Sequence, residues 1–341
     1  MELPVIGITM GDPAGVGPEI IVKALSDPQI FQICKPLVLG DRRIIGNAVQ
    51  MLGLEIEVNT ITNIRNERYQ AGYINVYNLS DLEADSVVWG RPEERFGKAV
   101  VDYIKVGAKL ALNGGIDAIT TAPINKEVIN RAGYNYAGHT ELFAELTNAK
   151  EYVMMLAGEK LRVALVTTHC RLKDVADLLN TQRIFTILEV TNYSLKKYFA
   201  IPNPRIAVAS LNPHGGEGGI FGDEEERIII PAINKAKNIG IDAVGTLPPD
   251  TLFYYAARGE YDAVVCMYHD QGLIPLKLLN FQDAVNITLG LPVIRTSVDH
   301  GTAYDIAGTG RANDISLKNA IRLAASMINK SRGSSKNITR N

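Results

Sequence analysis

The sequence predicts an α/β protein built on a largely parallel sheet. Short apolar runs alternate with longer amphipathic ones along the chain. Such alternation favours strands joined by helical crossovers. A length of 341 residues, 46 % hydrophobic and 21 % charged, suits two globular domains or one large α/β unit. There is no internal repeat and no Pro- or Ser-rich linker, so a second domain requires the chain to cross over more than once.

The predicted strands are 5–10, 36–39, 118–121, 161–167, 206–210, 263–267 and 293–297. Helical patterns lie between them, notably 95–112, 176–199 and 224–240. The first strand leads into GDPAGVGPEI, where Pro18 suits the first turn of a helix and Glu19 favours its positive end. Gly15-x-Gly17 begins like a dinucleotide fingerprint. Ile20 occupies the third glycine position and no acidic ribose binder follows, so a tight strand-to-helix turn is the better reading. The tail NKSRGSSKNITRN is low in complexity and is expected to fray.

The formal charge of −2 supports neither a nucleic-acid nor a membrane partner. The first residues lack a basic leader followed by an apolar stretch, and no run reaches membrane-spanning length. Cys34, Cys170 and Cys266 are too few and too scattered for a disulfide framework. The expectation is a soluble cytoplasmic protein.

Three apolar strands end in histidine. LRVALVTTHC sets His169 beyond one, PRIAVASLNPHGGEGG sets His214 beyond another after a short turn, and YDAVVCMYHDQGLIPLK does the same for His269. In a parallel sheet, residues past the carboxyl ends of strands gather where ligands bind. One such histidine needs no more than a loop carbonyl to satisfy it. Three of the chain's 5 histidines in equivalent places suggest three imidazoles for a catalytic divalent metal, most simply zinc, with cobalt, nickel or manganese as alternatives. Cys170 and Cys266 have the wrong strand parity to join them and are expected to be buried packing. Asp270 can orient an imidazole from behind the metal, or cap a loop.

Other residues suggest an anion. NYAGHTELFAELT places Thr140 where it can cap a helix whose first N–H groups favour negative charge. Arg295 lies inside the apolar stretch LGLPVIRTSVDHG and wants an anionic partner, whether a structural carboxylate or a substrate. Lys277 follows the third histidine, and Asn286 can add a neutral hydrogen bond. Gly290, Gly301, Gly308 and Gly310 would let backbone approach a flat or phosphorylated ligand. His300, in the same stretch, suits adenosine or loop hydrogen bonding better than the metal.

Taken together, MGDPAGVGPEI, TTAPINK, GHTELF, VTTH, NPHGGEGG, PPDTLF, YHDQGLIPLK and NITLGLPVIRTSVDHGTA resemble the 4-hydroxythreonine-4-phosphate dehydrogenase family of pyridoxal phosphate biosynthesis, in order and over nearly the whole chain. GDPAGVGPE is also similar to the GDGIGPE opening of the isocitrate/isopropylmalate dehydrogenase superfamily. WGRPEERFG is a weaker match, and its role stays open.

The resemblance implies an isopropylmalate-dehydrogenase-like fold of two α/β domains with an interdomain cleft. The expected division is 1–130 plus 281–341 for the first domain and 131–280 for the second, which carries most metal and substrate residues. It implies a homodimer with active sites shared across the interface. Carried to matching positions, it makes His169, His214 and His269 ligands of one divalent metal (Zn, Co, Mg, Mn or Ni). It makes His139, Thr140, Lys277, Asn286 and Arg295 substrate binders. Asp250 lies near the substrate and, with a metal-linked water, is a candidate proton acceptor. NAD or NADP is held by loops, for which Gly290, His300 and Gly301 are the candidates. The implied reaction oxidises 4-phosphooxy-L-threonine at C3 to 2-amino-3-oxo-4-phosphooxybutanoate, which loses carbon dioxide to give 3-amino-2-oxopropyl phosphate. Rival readings are the same chemistry on D-threonate or D-erythronate 4-phosphate, metal-dependent aldol or hydrolytic chemistry, and a non-enzymatic metal binder.

Overall fold

The computed structural model describes residues 2–65, 67–136 and 138–338. The chain divides into two compact units, Met1–Lys150 with Leu291–Asn329, and Glu151–Gly290 with Lys330–Asn341. The crossings thus fall at 150/151 and 290/291 rather than at 130/131 and 280/281, with a third at 329/330. The reason is packing: Leu142, Phe143 and Ala144 belong to the first unit's core, while residues 285–289 pair with strand 153–157 in the second.

The first unit begins with β1 (Val5–Thr9), α1 (Gly17–Leu25), α2 (Pro28–Ile33), β2 (Lys35–Gly40) and α3 (Arg42–Leu52). It continues with β3 (Glu57–Thr60), β4 (Tyr73–Asn78), α4 (Arg95–Leu112), β5 (Ala118–Thr121), α5 (Lys126–Arg131) and α6 (His139–Leu146). The second contains β6 (Val153–Ala157), β7 (Arg162–Leu165), α7 (Val175–Leu178), α8 (Thr181–Phe199) and β8 (Arg205–Ala209). After these come α9 (Ile230–Asn238), β9 (Asp242–Leu247), α10 (Pro249–Ala256), β10 (Ala263–Cys266), α11 (His269–Asn280) and β11 (Val285–Leu289). The chain closes with β12 (Ile294–Ser297) and α12 (Ile315–Ile338).

In the first unit the strand order is β3-β4-β2-β1-β5-β12, parallel throughout. β1, β2 and β5 are buried along almost their whole length, as near-continuous apolar runs covered on both faces should be. The core gathers Leu37, Leu39, Ile104, Ile119 and Phe143. The GDPAGVGPEI segment is a strand-to-helix turn. Gly17 opens α1 with Pro18 in its first turn, and a Cβ at Gly17 would stand 2.3 Å from the Met10 carbonyl oxygen. The glycine is needed for close helix–strand packing. Glu19 is buried, accepts from Ala312 N at 2.9 Å and pairs with Lys23 at 3.2 Å.

The second unit runs β11-β6-β7-β10-β8-β9. β6 is antiparallel to both β11 and β7, whereas β7, β10, β8 and β9 are parallel neighbours. Leu156, Val163, Leu165, Val264, Cys266 and Leu276 fill its core. The helical pattern over 176–199 is interrupted: α7 ends at Leu178, and the Asn180 side chain caps α8 by accepting from Arg183 N at 2.8 Å. α12 runs to Ile338 where fraying was expected, and residues 339–341 of that tail lie outside the described residues. Among the described residues no helix is long and apolar enough to cross a membrane.

Candidate active site

In the second unit, four parallel neighbours deliver polar residues past their carboxyl ends. β7 leads to His169, β10 to His269, β8 to His214 and β9 to Asp250. The rings of His169 and His269 lie 5.5 Å apart, tilted by 43°. His269 opens α11, and its Nδ1 donates to the Asp270 carboxylate at 2.7 Å. That bond fixes the tautomer and leaves Nε2 as the lone-pair nitrogen.

His214 is held differently. It stands in a turn at 213–216 with left-handed backbone (φ 53°, ψ 23°) and is exposed. Among the described residues, no three His, Cys, Asp or Glu side chains are gathered closely enough to hold a metal. The structure therefore brings His169 and His269 together and leaves His214 outside that pair.

Buried polar side chains that sequence reasoning left without a role anchor these loops. Glu225, 2 % exposed, accepts from Leu211 N and Asn212 N, each at 2.8 Å, and from Asn212 Nδ2 at 2.9 Å. It lies in an acidic run, EEE, at the start of the helical pattern over 224–240. Gln271 accepts from Met267 N and donates to the Ser210 carbonyl, both at 2.7 Å, joining the ends of β10 and β8.

The remaining residues of this unit are spread along its elements. Asp250 is exposed in the first turn of α10. Lys277 is half-buried on α11, eight positions after His269, or about 12 Å along the axis at 1.5 Å per residue. Asn286 is half-buried on β11. Cys266 is buried as expected, but Cys170 is exposed, because β7 ends at Leu165 and the cysteine falls in the following loop. Gly290 does make a close approach, though to protein: an added Cβ would stand 2.3 Å from the Glu151 carbonyl oxygen.

The first unit holds a cationic cluster. Arg295 on β12 is 2 % exposed, donates to Thr121 Oγ1 at 2.8 Å and lies 5.8 Å from the centre of the Phe143 ring. Burial pulls its pKa down to about 9, against a smaller upward pull from Glu141. His139 begins α6, stacked on Phe143, and its Nε2 is buried without a hydrogen-bond partner. Burial, then Arg295 and Lys126, hold that imidazole well below the usual histidine range.

Lys126 is the member that sequence reasoning missed. It starts α5, which Asn125 caps by accepting from Val128 N at 3.1 Å. Its place in TTAPINK, just past β5, was the available signal. Thr140 does not cap: α6 starts two residues earlier than that would require, with Gly138 at the cap position, so Thr140 lies in the first turn.

His300 and Gly301 are exposed in the loop after β12, where His300 Nδ1 donates to the Gly301 carbonyl at 3.0 Å. The same loop packs on the turn after β1. Val16 N donates to the Thr302 carbonyl at 3.0 Å, and Tyr304 donates to Asp12 at 2.7 Å. Burial raises the Asp12 pKa, against the bonds from Tyr304 and Ala14. The WGRPEERFG segment docks here too, with Gly90 N donating to the Ala14 carbonyl at 2.8 Å.

Residues 32–324 match the family described as "Pyridoxal phosphate biosynthetic protein PdxA". A 4-hydroxythreonine-4-phosphate dehydrogenase of Geobacter metallireducens is 53 % identical over 95 % of this chain and 95 % of its own. A D-threonate 4-phosphate dehydrogenase of Salmonella typhimurium is 47 % identical, covering 95 % and 99 % respectively. Among solved structures, the 4-hydroxythreonine-4-phosphate dehydrogenase of Klebsiella pneumoniae superposes with a TM-score of 0.88 at 42 % identity, covering 96 % of this chain and 98 % of that one.

Proposed function

This chain belongs to the pyridoxal phosphate biosynthetic protein PdxA family, and from that premise we propose that it oxidises 4-phosphooxy-L-threonine with NAD or NADP and a divalent metal. The product, 2-amino-3-oxo-4-phosphooxybutanoate, is a β-keto acid that loses carbon dioxide to give 3-amino-2-oxopropyl phosphate.

The observation carrying this reading is the delivery of His169, His269 and His214 by three adjacent parallel strands, with the first two rings 5.5 Å apart. Imidazole nitrogens, one ring oriented by Asp270, fit a borderline cation such as zinc, cobalt or nickel, and carry the harder manganese and magnesium as alternatives. When bound, the metal would polarise the C3 hydroxyl and the nicotinamide would take up hydride.

This chain's side chains supply binding, orientation and a place for the proton. Arg295 and Lys126 contribute charge for the phosphate or carboxylate, and His139, kept neutral beside them, retains one donor and one acceptor nitrogen. Thr140, Lys277 and Asn286 are the further substrate groups. Fixing the phosphate positions C3 for reaction, which is a large part of such a catalyst's advantage. Asp250 is the proposed proton acceptor, and the loop of His300 and Gly301 is proposed to meet the nicotinamide cofactor. The assembly is a cytoplasmic homodimer. Ile274 and Leu278 on α11 and Phe281 just past its end, 66 %, 83 % and 77 % exposed, support the dimer.

A second reading, oxidation of D-threonate 4-phosphate, is favoured by the Salmonella typhimurium relative. Reduced-nicotinamide formation with each substrate separates the two. A kcat/KM higher for 4-phosphooxy-L-threonine supports the first reading, the reverse order supports the second, and turnover of neither removes both.

A further inference from the structure

His214 belongs to no strand or regular helix, yet the segment that carries it is fixed from two sides. From one side, the Glu225 carboxylate takes the Leu211 and Asn212 backbone N–H groups at 2.8 Å and the Asn212 side-chain amide at 2.9 Å. Glu224 takes the same amide at 2.7 Å. A single π-helical turn, Glu225–Ile229, precedes α9 and presents Glu225 there. Such insertions recur at functional sites. From the other side, Gln271 donates to the Ser210 carbonyl at 2.7 Å, and Ser210 Oγ donates to the Asn212 carbonyl at 3.0 Å. Gln271 also holds Met267 N at 2.7 Å, two residues before His269.

Burying a carboxylate is costly unless its lone pairs are satisfied by donors. Here the donors are the root of one exposed turn. An apolar residue would fill the same space without that cost, so the arrangement serves the turn's geometry more than the core.

We infer that Glu225 and Gln271 are positioning residues for the histidine set, an inference that rests on the metal reading above. Glu225 sets the conformation in which His214 is presented, and Gln271 locks that turn to the strand end delivering His269. Their hydrogen bonds go to the backbone and side chains that carry the histidines.

The test is zinc affinity of the purified full chain, by competition with a chromophoric chelator, together with the visible absorption of the cobalt(II)-loaded protein. Glu225→Gln places an NH2 group against the Asn212 amide, and Gln271→Glu removes the donor to Ser210. Zinc affinity should fall about 10–100-fold in each, the usual effect of losing an outer partner of a metal site, and the cobalt spectrum should change. A role confined to stability would lower the thermal midpoint of the metal-free protein and leave both readouts as in the wild type. That result in folded variants overturns the inference. If Glu225→Gln does not fold, Gln271→Glu and Asn212→Ala decide by the same criterion. His214→Ala separates the two levels. Wild-type zinc affinity in His214→Ala removes the metal reading itself, whereas a loss there with none in Glu225→Gln removes only the positioning role.

Discussion

Arg295 is a guanidinium where an apolar strand has almost no room for one, at 2 % exposure on β12. Its environment brings the arginine pKa to about 9. Arg295→Lys keeps a cation whose charged form the same burial disfavours, and it loses the guanidinium's forked contact. The expected drop in kcat/KM is about 10–100-fold, the worth of one charge-assisted hydrogen bond, and kinetics on the folded variant check it. Wild-type kcat/KM would clear Arg295 of a substrate role. His139 gives a pH signature. Its folded pKa lies well below the usual histidine range, chiefly through burial. Below about pH 6.5 the unfolded chain takes up a proton that the native protein refuses, so this contribution is complete above that value and is lost as pH falls towards the folded pKa. The slope is at most about 1.4 kcal/mol per pH unit. Denaturant unfolding between pH 7.5 and 5.5, roughly spanning the ordinary histidine pKa, should show wild type losing stability relative to His139→Gln as pH falls. Parallel profiles would contradict the buried-neutral description.

At the scale of elements, the central strands were legible because burial on both faces makes them continuous apolar runs. β1, β5, β7, β10 and β12 fall at or within the predicted segments, and β2 and β8 overlap theirs with ends shifted by one residue. β3, β4 and β9 were not, since their half-exposed residues (EVNT, YINVYN, DAVGTL) carry little pattern. β6 and β11 escaped for a different reason: they form the antiparallel part of a sheet read as parallel. Thr140 and Cys170 were misjudged by local boundaries, a helix beginning two residues early and a strand stopping short. The histidines were found because each follows a strand end, whereas Glu225 and Gln271 look like ordinary surface residues in a linear reading. α11 carries its own prediction. Leu278, 83 % exposed in line with Ile274 and Phe281, is the natural centre of the proposed subunit contact. Leu278→Glu should leave circular dichroism unchanged and convert the proposed dimer to monomer in sedimentation. A wild-type dimer in this variant would move the interface elsewhere.

For the whole molecule, each unit has its own set of strands and its own core, the first set entirely parallel and the second carrying the histidine-bearing strands. Composition and alternation were enough for the α/β class. The crossings were not, because they depend on where α6 packs and what β11 pairs with. If active sites are shared across a homodimer, an inactive His214→Ala chain mixed and reassembled with an inactive Arg295→Ala chain should regain activity. A fully active monomer, seen by sedimentation under assay conditions, would refute sharing. The central claim is a metal-dependent oxidation of a phosphorylated hydroxy acid, and it is met most directly by following reduced nicotinamide. The purified protein, supplied with 4-phosphooxy-L-threonine and NAD or NADP, should form it steadily, stop on treatment with a chelator and resume on adding zinc or cobalt. No reduced nicotinamide with either cofactor, whatever divalent metal is supplied, would contradict the account.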